Sequence, residues 1–243
     1  MNPILVIDYE TSAFPEKGGA PINFAAALLD KDTFEVKAQF ECFMLLEGDD
    51  VWDPGAERVH HISREYLKQH AVSREQGYED FIAWMRSIGL KPTPECESWD
   101  RVHLCGHNVE FFDQGILSGE KGIGRELFKK WFHYRVIDTM KVAFFPDMVY
   151  YHAGHGHVFT TEGQPSVKLG ALQRMYNIKS GLAAHTAIGD VLTTAEALRK
   201  MDKTFSGGLK MLERLGEFRK AEASMTDEEL GKAARAIFGA RKK

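Results

Sequence analysis

Three apolar segments near the start of the chain predict three β-strands joined by short connections. These segments cover residues 4–8, 22–29 and 34–44. The turn Asp30-Lys31-Asp32-Thr33 links the second segment to the third. A link this short favours antiparallel pairing, because parallel strands need a longer crossover. The chain therefore begins with a predicted antiparallel meander.

The middle of the chain alternates between helix and strand patterns. Apolar residues at helical spacing predict an amphipathic helix over residues 78–88. Beyond it, the pattern predicts a strand, two helices and a further strand, over residues 101–105, 109–119, 123–132 and 134–138. A meander followed by β-α-β units indicates an α/β fold, in which helices flank a mixed sheet.

The pattern changes after residue 202, where Ser206-Gly207-Gly208 interrupts the helical periodicity. Two short helices are predicted beyond this point, over residues 209–221 and 226–238, and Thr226-Asp227-Glu228-Glu229 has the capping-box pattern. We therefore expect a main domain over residues 1–202 and a helical C-terminal extension over residues 203–243.

Composition is typical of one soluble domain, since 44% of the 243 residues are hydrophobic. We find neither an apolar stretch of about 18 residues nor a signal-like N-terminus, and we expect a cytoplasmic protein without a membrane partner. Cys42, Cys96 and Cys105 form no CxxC motif and are expected to be reduced thiols. A net charge of −4 argues against a protein that coats nucleic acid, but not against an enzyme that acts on it.

Asp8 and Glu10, at the end of the first apolar segment, are the first candidates for chemistry. Side chains on a strand alternate with period two, so both carboxylates project to the same side. Their mutual repulsion is costly unless a cation lies between them, and hard oxygen ligands suit Mg²⁺ or Mn²⁺. A pair of solvated surface carboxylates is the alternative interpretation of this motif alone.

Two later segments add candidates to this pair. Asp113 follows the predicted strand 101–105 and a turn, near the start of a helix. His185 and Asp190 are five residues apart, so on one ideal helix they would point about 140° apart. They can converge on one site only if His185 lies in the loop before the helix that carries Asp190.

Asp8-x-Glu10, Asp113 and His185-x4-Asp190, in this order, resemble the DEDDh 3′–5′ exonucleases, which include the epsilon-type proofreading subunits of bacterial polymerases. The resemblance covers residues 1–202. It extends to Val59-His60-His61-Ile62, Val136-Ile137-Asp138-Thr139 and Ser166-Val167-Lys168-Leu169-Gly170-Ala171-Leu172. Thr186 stands where the sister DEDDy group has tyrosine, which favours the histidine subgroup. One departure is that Asn108 and Asp113 are five residues apart, where many epsilon-like members have four.

This resemblance implies a ribonuclease-H-like fold and a two-metal mechanism. Asp8, Glu10, Asp113 and Asp190 would bind two divalent cations, Mg²⁺ or Mn²⁺, and His185 would act as the general base. The implied activity removes nucleoside 5′-monophosphates from the 3′ end of single-stranded DNA. Substrate contacts are expected from the residues around the first motif and the Asp113 turn: Tyr9, Thr11, Ser12, Phe14, Asn108 and Phe111.

Several alternatives remain open from the sequence. The same chemistry on RNA or short oligonucleotides is one, and a non-catalytic module that binds a polymerase or another replication or repair partner through its C-terminal helices is another. The segment 150–161 contains His152, His155 and His157 and predicts a β-hairpin insertion. A surface hairpin, a flap over the substrate and a histidine metal site are its three interpretations.

Overall fold

The computed structural model describes residues 2–93, 101–150, 160–161, 164–179 and 185–222. Its main sheet has five strands in the order β3-β2-β1-β4-β5. The first three strands pair antiparallel, and β4 and β5 continue the sheet in parallel with β1. The strands are β1 (Ile4–Thr11), β2 (Pro21–Leu29), β3 (Val36–Phe43), β4 (His103–Gly106) and β5 (Ile137–Asp138). This confirms the predicted mixed sheet with an N-terminal meander.

Eight helices accompany the sheet in the described residues. They are α1 (Pro54–His60), α2 (Arg64–His70), α3 (Arg74–Ser87), α4 (Asp113–Ser118), α5 (Arg125–Trp131), α6 (Thr139–Tyr150), α7 (Leu169–Met175) and α8 (Ala187–Glu222). Sequence periodicity did not indicate α1 and α2, which are only seven residues long. Their start signals are present nonetheless, because Asp53 and Ser63 each accept a backbone N–H from the first turn.

Successive side chains on β1 point to opposite faces of the sheet. Each face therefore carries its own apolar layer. Leu5, Ile7 and Tyr9 pack with the aromatic side chains of β2 and α3 on one face. Ile4 and Val6 pack on the other face against the alanines of β2 and the first turns of α8. Small side chains on β2 leave room for α8 to approach, and this is the face on which Asp8 and Glu10 lie.

Strand pairing leaves the carboxyl end of β1 open on one side. On the β2 side, Asp8 lies opposite Ala25 and Glu10 opposite Asn23. On the β4 side, pairing stops at Val6, opposite Cys105. The last residues of β1 therefore have backbone groups that are free to bind something other than a neighbouring strand.

Several predicted boundaries differ from the structure, and the helix expected over 78–88 begins at Arg74. The helix expected from residue 109 begins at Asp113, and the strand expected over 134–138 is reduced to Ile137–Asp138. Tyr150 ends α6, so it does not begin a hairpin strand. Thr160–Thr161 instead pairs with Gln164–Pro165 in a small antiparallel ladder. His152, His155 and His157 lie outside the described residues.

Helix α8 continues through Ser206-Gly207-Gly208, so the predicted interruption is wrong. Compact units extend over Met1–Arg199 and Lys200–Lys243. The predicted helix over 226–238 lies outside the described residues, and the division near residue 202 stays a prediction. None of the helices in the described part of the chain combines the length and apolar character needed to cross a bilayer.

Loop 12–20, which follows β1, is fixed by a buried ionic cluster. Lys121 donates to the carbonyl oxygens of Gly18 and Gly19, at 2.9 and 3.2 Å, and its Nζ lies 2.7 Å from Oδ1 of Asp50. Arg74 pairs with the other oxygen of Asp50, whose side chain is only 2% exposed. Burial opposes ionisation of Asp50, but the hydrogen bonds and the two cations outweigh it and lower its pKa.

Replacing Lys121 with methionine should lower the free energy of unfolding by about 2 kcal/mol, because the buried Asp50 carboxylate would keep only one of its two cations. Urea denaturation measures this loss. Lys129→Met is the matched control, since the pair of Lys129 with Glu126 is solvent-exposed and should contribute much less to stability. Equal losses in the two variants would contradict this role of Lys121.

Candidate active site

Three carboxylates converge at the carboxyl end of β1. Asp8 and Glu10 project from the same face of the strand, and Asp190 lies in the first turn of α8, which packs on that face. One oxygen from each of the three lies within 4.8 Å of the others. The predicted pairing of the first motif with the last is therefore present in space, although 180 residues separate Asp190 from Glu10 along the chain.

Asp113 reaches the same strand from its open edge. Its Oδ1 accepts the backbone N–H of Tyr9 at 3.0 Å, where β4 no longer pairs with β1. A wide turn precedes it, closed by a hydrogen bond from the Gln114 N–H to the Val109 carbonyl at 2.9 Å. This i to i+5 bond accommodates the additional residue between Asn108 and Asp113. Asp113 is thus buried beside the two β1 carboxylates despite the longer spacing.

His185 lies outside α8, two residues before its start, as the five-residue spacing requires. Its backbone has φ of 62°, in the left-handed region that few residues other than glycine adopt. His185 is exposed, and its charge acts on Asp190. The loop therefore places an accessible imidazole beside the carboxylate cluster.

Burial raises the pKa of Asp8 well above its ordinary value, and the charges of Asp113, Asp190 and Glu10 raise it further. Burial and the charge of Asp190 raise the pKa of Glu10 to about 7. Burial also raises the pKa of Asp190, against the opposing effects of the His185 charge and backbone hydrogen bond. The protein alone does not neutralise this cluster.

The donor set fits divalent cations. Three partly buried carboxylates with oxygens within 4.8 Å of one another supply the hard ligands that Mg²⁺ and Mn²⁺ prefer. A fourth, Asp113, is buried and has a raised pKa, caused first by burial and then by the charges of Glu10 and Asp138. A bound cation would relieve the repulsion that these pKa values report.

Asp138 supports the turn between β4 and the Asp113 segment. Its Oδ1 accepts the backbone N–H groups of Asn108 and Met140, each at 3.0 Å. Asn108 has φ of 68°, and Thr139 bonds both the His107 ring and the Gly106 carbonyl. The Asp-Thr motif at the end of β5 therefore stabilises the turn that places Asn108.

A cleft of about 340 Å³ adjoins the carboxylates. It extends from Glu10 between the loop after β1 and helix α1, and Thr11, Phe14, Val59 and Phe112 are among its lining residues. Phe14 and Val59 are 57% and 50% exposed, so the cleft has an apolar, accessible edge. Val59 and Phe112 were not among the predicted contacts, although Val59 belongs to the motif Val59-His60-His61-Ile62.

The remaining predicted substrate residues have different surroundings. Tyr9 lines the cleft, but its ring stacks on Phe24 and its hydroxyl bonds that of Tyr78. Ser12 is fully buried, donating to the Val51 carbonyl and accepting the Ala20 N–H. Asn108 and Phe111 do not line the cleft within the described structure, and Phe111 is 77% exposed beneath Lys141.

A larger groove of about 730 Å³ lies between α3 and the segment from α4 to α5. It contains none of the five predicted catalytic residues, and one of its charged lining residues, Arg74, already pairs with Glu47 and with Asp50. Size therefore does not identify the candidate site, whereas the titratable side chains do.

Comparison with known proteins is informative at the level of structure. No protein-family model and no curated protein sequence matches the chain. E. coli exonuclease I in complex with a dT13 oligonucleotide is similar, at 20% identity and a TM-score of 0.62, over 93% of this chain and 46% of that one. A zinc-bound complex of E. coli exonuclease I with single-stranded DNA matches at 21% identity and a TM-score of 0.61, with the same coverage.

Cell-death related nuclease 4 is also similar, at 17% identity and a TM-score of 0.60, over 84% of this chain and 64% of that one. Our chain spans less than half the length of the exonuclease I chains. At these identities the similarities establish the fold. The chain has the ribonuclease-H-like architecture of these nucleases, as the sequence motifs imply.

Without metal, the melting temperature (Tm) of Glu10→Gln should rise relative to that of the unaltered protein between about pH 5 and about pH 8. Since the folded state raises the pKa of Glu10 to about 7, folding binds a proton, and the unaltered protein loses stability as pH rises through this window. Three histidines, His60, His107 and His133, have lowered pKa values, and burial is the largest cause of each shift. These shifts affect the Tm of both proteins alike.

Thermal melts in EDTA measure this difference at each pH, and Mn²⁺ added at pH 8 should stabilise the unaltered protein more than the variant. A Tm difference that is independent of pH would contradict the arrangement of charges described for Glu10.

Proposed function

We propose that this protein is a metal-dependent 3′–5′ exonuclease that hydrolyses phosphodiester bonds at the 3′ end of single-stranded DNA and releases nucleoside 5′-monophosphates. The observation that carries this proposal is the group of Asp8, Glu10 and Asp190 oxygens within 4.8 Å, with the exposed His185 beside it. The similarity to exonuclease I complexes with oligonucleotides supports nucleic acid as the substrate class.

Asp8, Glu10 and Asp190 would hold a first divalent cation, and Asp113 would support a second together with Asp8. When bound, two such cations activate water and stabilise negative charge on the phosphate and the leaving oxygen. The chain's own contribution is to direct the carboxylates at one point, where burial and mutual repulsion favour the binding of a cation. Mg²⁺ or Mn²⁺ suits this oxygen donor set, and zinc bound in an exonuclease I complex supports a divalent-metal site.

His185 is the proposed general base. It lies at the exposed edge of the cluster, and a neutral imidazole has a ring nitrogen that can accept a proton from an attacking water. The nearby Asp190 carboxylate stabilises the imidazolium that forms when His185 takes a proton from the attacking water. The left-handed backbone at His185 keeps its ring outside the helix and accessible to this water.

The cleft beside Glu10 is proposed to bind the terminal nucleotide. Its apolar edge offers Phe14 as a stacking surface, and Lys17 lies 5.3 Å from the centre of that ring, where its charge can contact phosphate. Backbone groups near Tyr9, Thr11 and Ser12 would contact the sugar. Asn108 and the exposed Phe111 are proposed to contact the preceding nucleotides.

Cleavage of RNA or short oligonucleotides is the second candidate, since the same site performs the same hydrolysis on either sugar. DNA is favoured because the structurally similar complexes contain dT13 and dA16. A polymerase or another replication or repair partner docking on the C-terminal helices stays a proposal derived from the resemblance alone. Cytoplasmic localisation stays a prediction from the sequence.

Digestion of single-stranded DNA and RNA of one sequence, labelled at the 5′ end, tests the activity and the sugar preference. With Mg²⁺ or Mn²⁺ we expect a ladder of products that shorten from the 3′ end. The digestion should be faster on DNA than on RNA, and a 3′-phosphate should block it. If the folded protein produces no ladder on either strand, the proposal is wrong and a non-catalytic binding role is favoured.

Asp8→Ala and Asp190→Ala should each reduce turnover by at least about a thousandfold, because each removes a ligand from the proposed metal centre. Both proteins should stay folded, since each substitution removes like charge from the cluster. Circular dichroism and the ladder assay measure the two effects. Turnover retained in either variant would refute the site assignment.

His185→Ala should lower kcat by about a hundredfold or more while leaving the Mn²⁺ affinity, measured by titration calorimetry, nearly unchanged. The physical reason is that a general base acts on the attacking water and is not itself a metal ligand. If the affinity falls as much as kcat does, His185 is a ligand instead.

A further inference from the structure

Asn23 is a buried amide on an otherwise apolar strand, directly opposite Glu10. Strand β2 reads Pro21-Ile22-Asn23-Phe24-Ala25 at this point, and Asn23 is only 1% exposed. Cross-strand partners in an antiparallel pair have Cβ atoms about 5 Å apart on the same face. Asn23 therefore lies on the face that carries Asp8 and Glu10 and that receives α8.

The Asn23 amide binds two neighbouring elements through both its acceptor and its donor group. Its Oδ1 accepts the backbone N–H of Ala187 at 3.2 Å. Its Nδ2 donates to Oε1 of Glu41 and to the carbonyl of Cys42, each at 3.2 Å. An N–H can only donate and a carbonyl can only accept, so the amide orientation follows from its partners. An acceptor on one side and a donor on the other are both required here.

The Ala187 N–H is the first of α8, where a helix has no partner of its own for its backbone donors. Thr186 binds two later backbone donors of this turn. Its Oγ1 accepts the Gly189 N–H at 3.2 Å, and its carbonyl oxygen accepts the Asp190 N–H at 2.9 Å. Asn23 thus binds the first residue of α8, Ala187. His185 lies two residues before Ala187 along the chain, and Asp190 lies three residues after it.

We propose that Asn23 is a positioning residue, which holds the first turn of α8 against β1 so that Asp190 and His185 meet Asp8 and Glu10 in the geometry of the reaction. This inference rests on the proposed exonuclease function. The apolar contacts of Val191, Ala195 and Leu198 hold α8 against the sheet, but they are less directional than a hydrogen bond. A hydrogen bond at the first residue of α8 therefore defines the position of this turn more sharply.

Two substitutions separate this role from simple packing. Asn23→Leu keeps the number and branching of the side-chain heavy atoms and removes all three hydrogen bonds, leaving the Ala187 N–H unpaired. Asn23→Asp keeps an acceptor for Ala187 and removes only the donation to Glu41 and Cys42. We expect kcat to fall by about ten- to a hundredfold in Asn23→Leu, with KM within about threefold of the unaltered value, because misplacing catalytic groups slows chemistry without removing substrate contacts.

Asn23→Asp should retain a larger kcat than Asn23→Leu, because it keeps the bond to α8. Titration with Mn²⁺ in the absence of substrate gives a readout that is independent of activity. Affinity should fall severalfold in Asn23→Leu, in which Asp190 is no longer held, and should not fall in Asn23→Asp, which adds negative charge beside the cluster.

Phe81→Leu is the control for stability, because Phe81 is fully buried on the opposite face of the sheet and its truncation lowers Tm without touching α8. The proposal is overturned if Asn23→Leu keeps its kcat and Mn²⁺ affinity, if it loses no more kcat than Phe81→Leu, or if Asn23→Asp loses as much as Asn23→Leu. Should the unaltered protein digest no strand, the proposed function fails, and the Mn²⁺ titration still tests the position of Asp190.

Discussion

Repulsion among the carboxylates at the carboxyl end of β1 is the constraint on which the rest of the structure depends. Asp8, Glu10 and Asp190 lie with oxygens within 4.8 Å of one another, and Asp113 is buried beside them. Burial weakens the screening of their charges, so ionisation of each opposes ionisation of the others. Such a cluster persists only where apolar packing on both faces of the sheet is strong enough to hold it, and it becomes favourable when a cation binds.

The fold supplies that packing from two directions. One layer contains the aromatic side chains of β2 and α3, and the other contains the alanines of β2 against α8. β1 lies between them as the central strand, so its end is rigid while its edge beyond Val6 is left unpaired by β4. Asp113 approaches β1 from this unpaired edge, whereas Asp190 approaches from the face of the sheet on which α8 packs. The shape of the sheet therefore determines the side from which each carboxylate arrives.

Polar interactions then set the details that apolar packing leaves undefined. Lys121 and Asp50 hold the loop that carries Phe14 at the cleft, and Asp138 holds the turn that precedes Asp113. Asn23 does the same for the first turn of α8. In each case a buried or half-buried side chain binds backbone groups of a segment distant in sequence, and directional bonds of this kind define position more sharply than contact between apolar surfaces.

Sequence alone determined the strand meander, the α/β class and the five candidate catalytic residues. Period-two and helical patterns are local properties, and the order of the motifs is read directly along the chain. It also required His185 to precede its helix. Tertiary structure decided the rest. The position of Asp113 beside Tyr9, the burial of Tyr9 and Ser12, and the partners of Asn23 and Lys121 all depend on contacts between distant segments. Local patterns carry no information about such contacts, since a side chain's partners are set by which elements the sheet brings together.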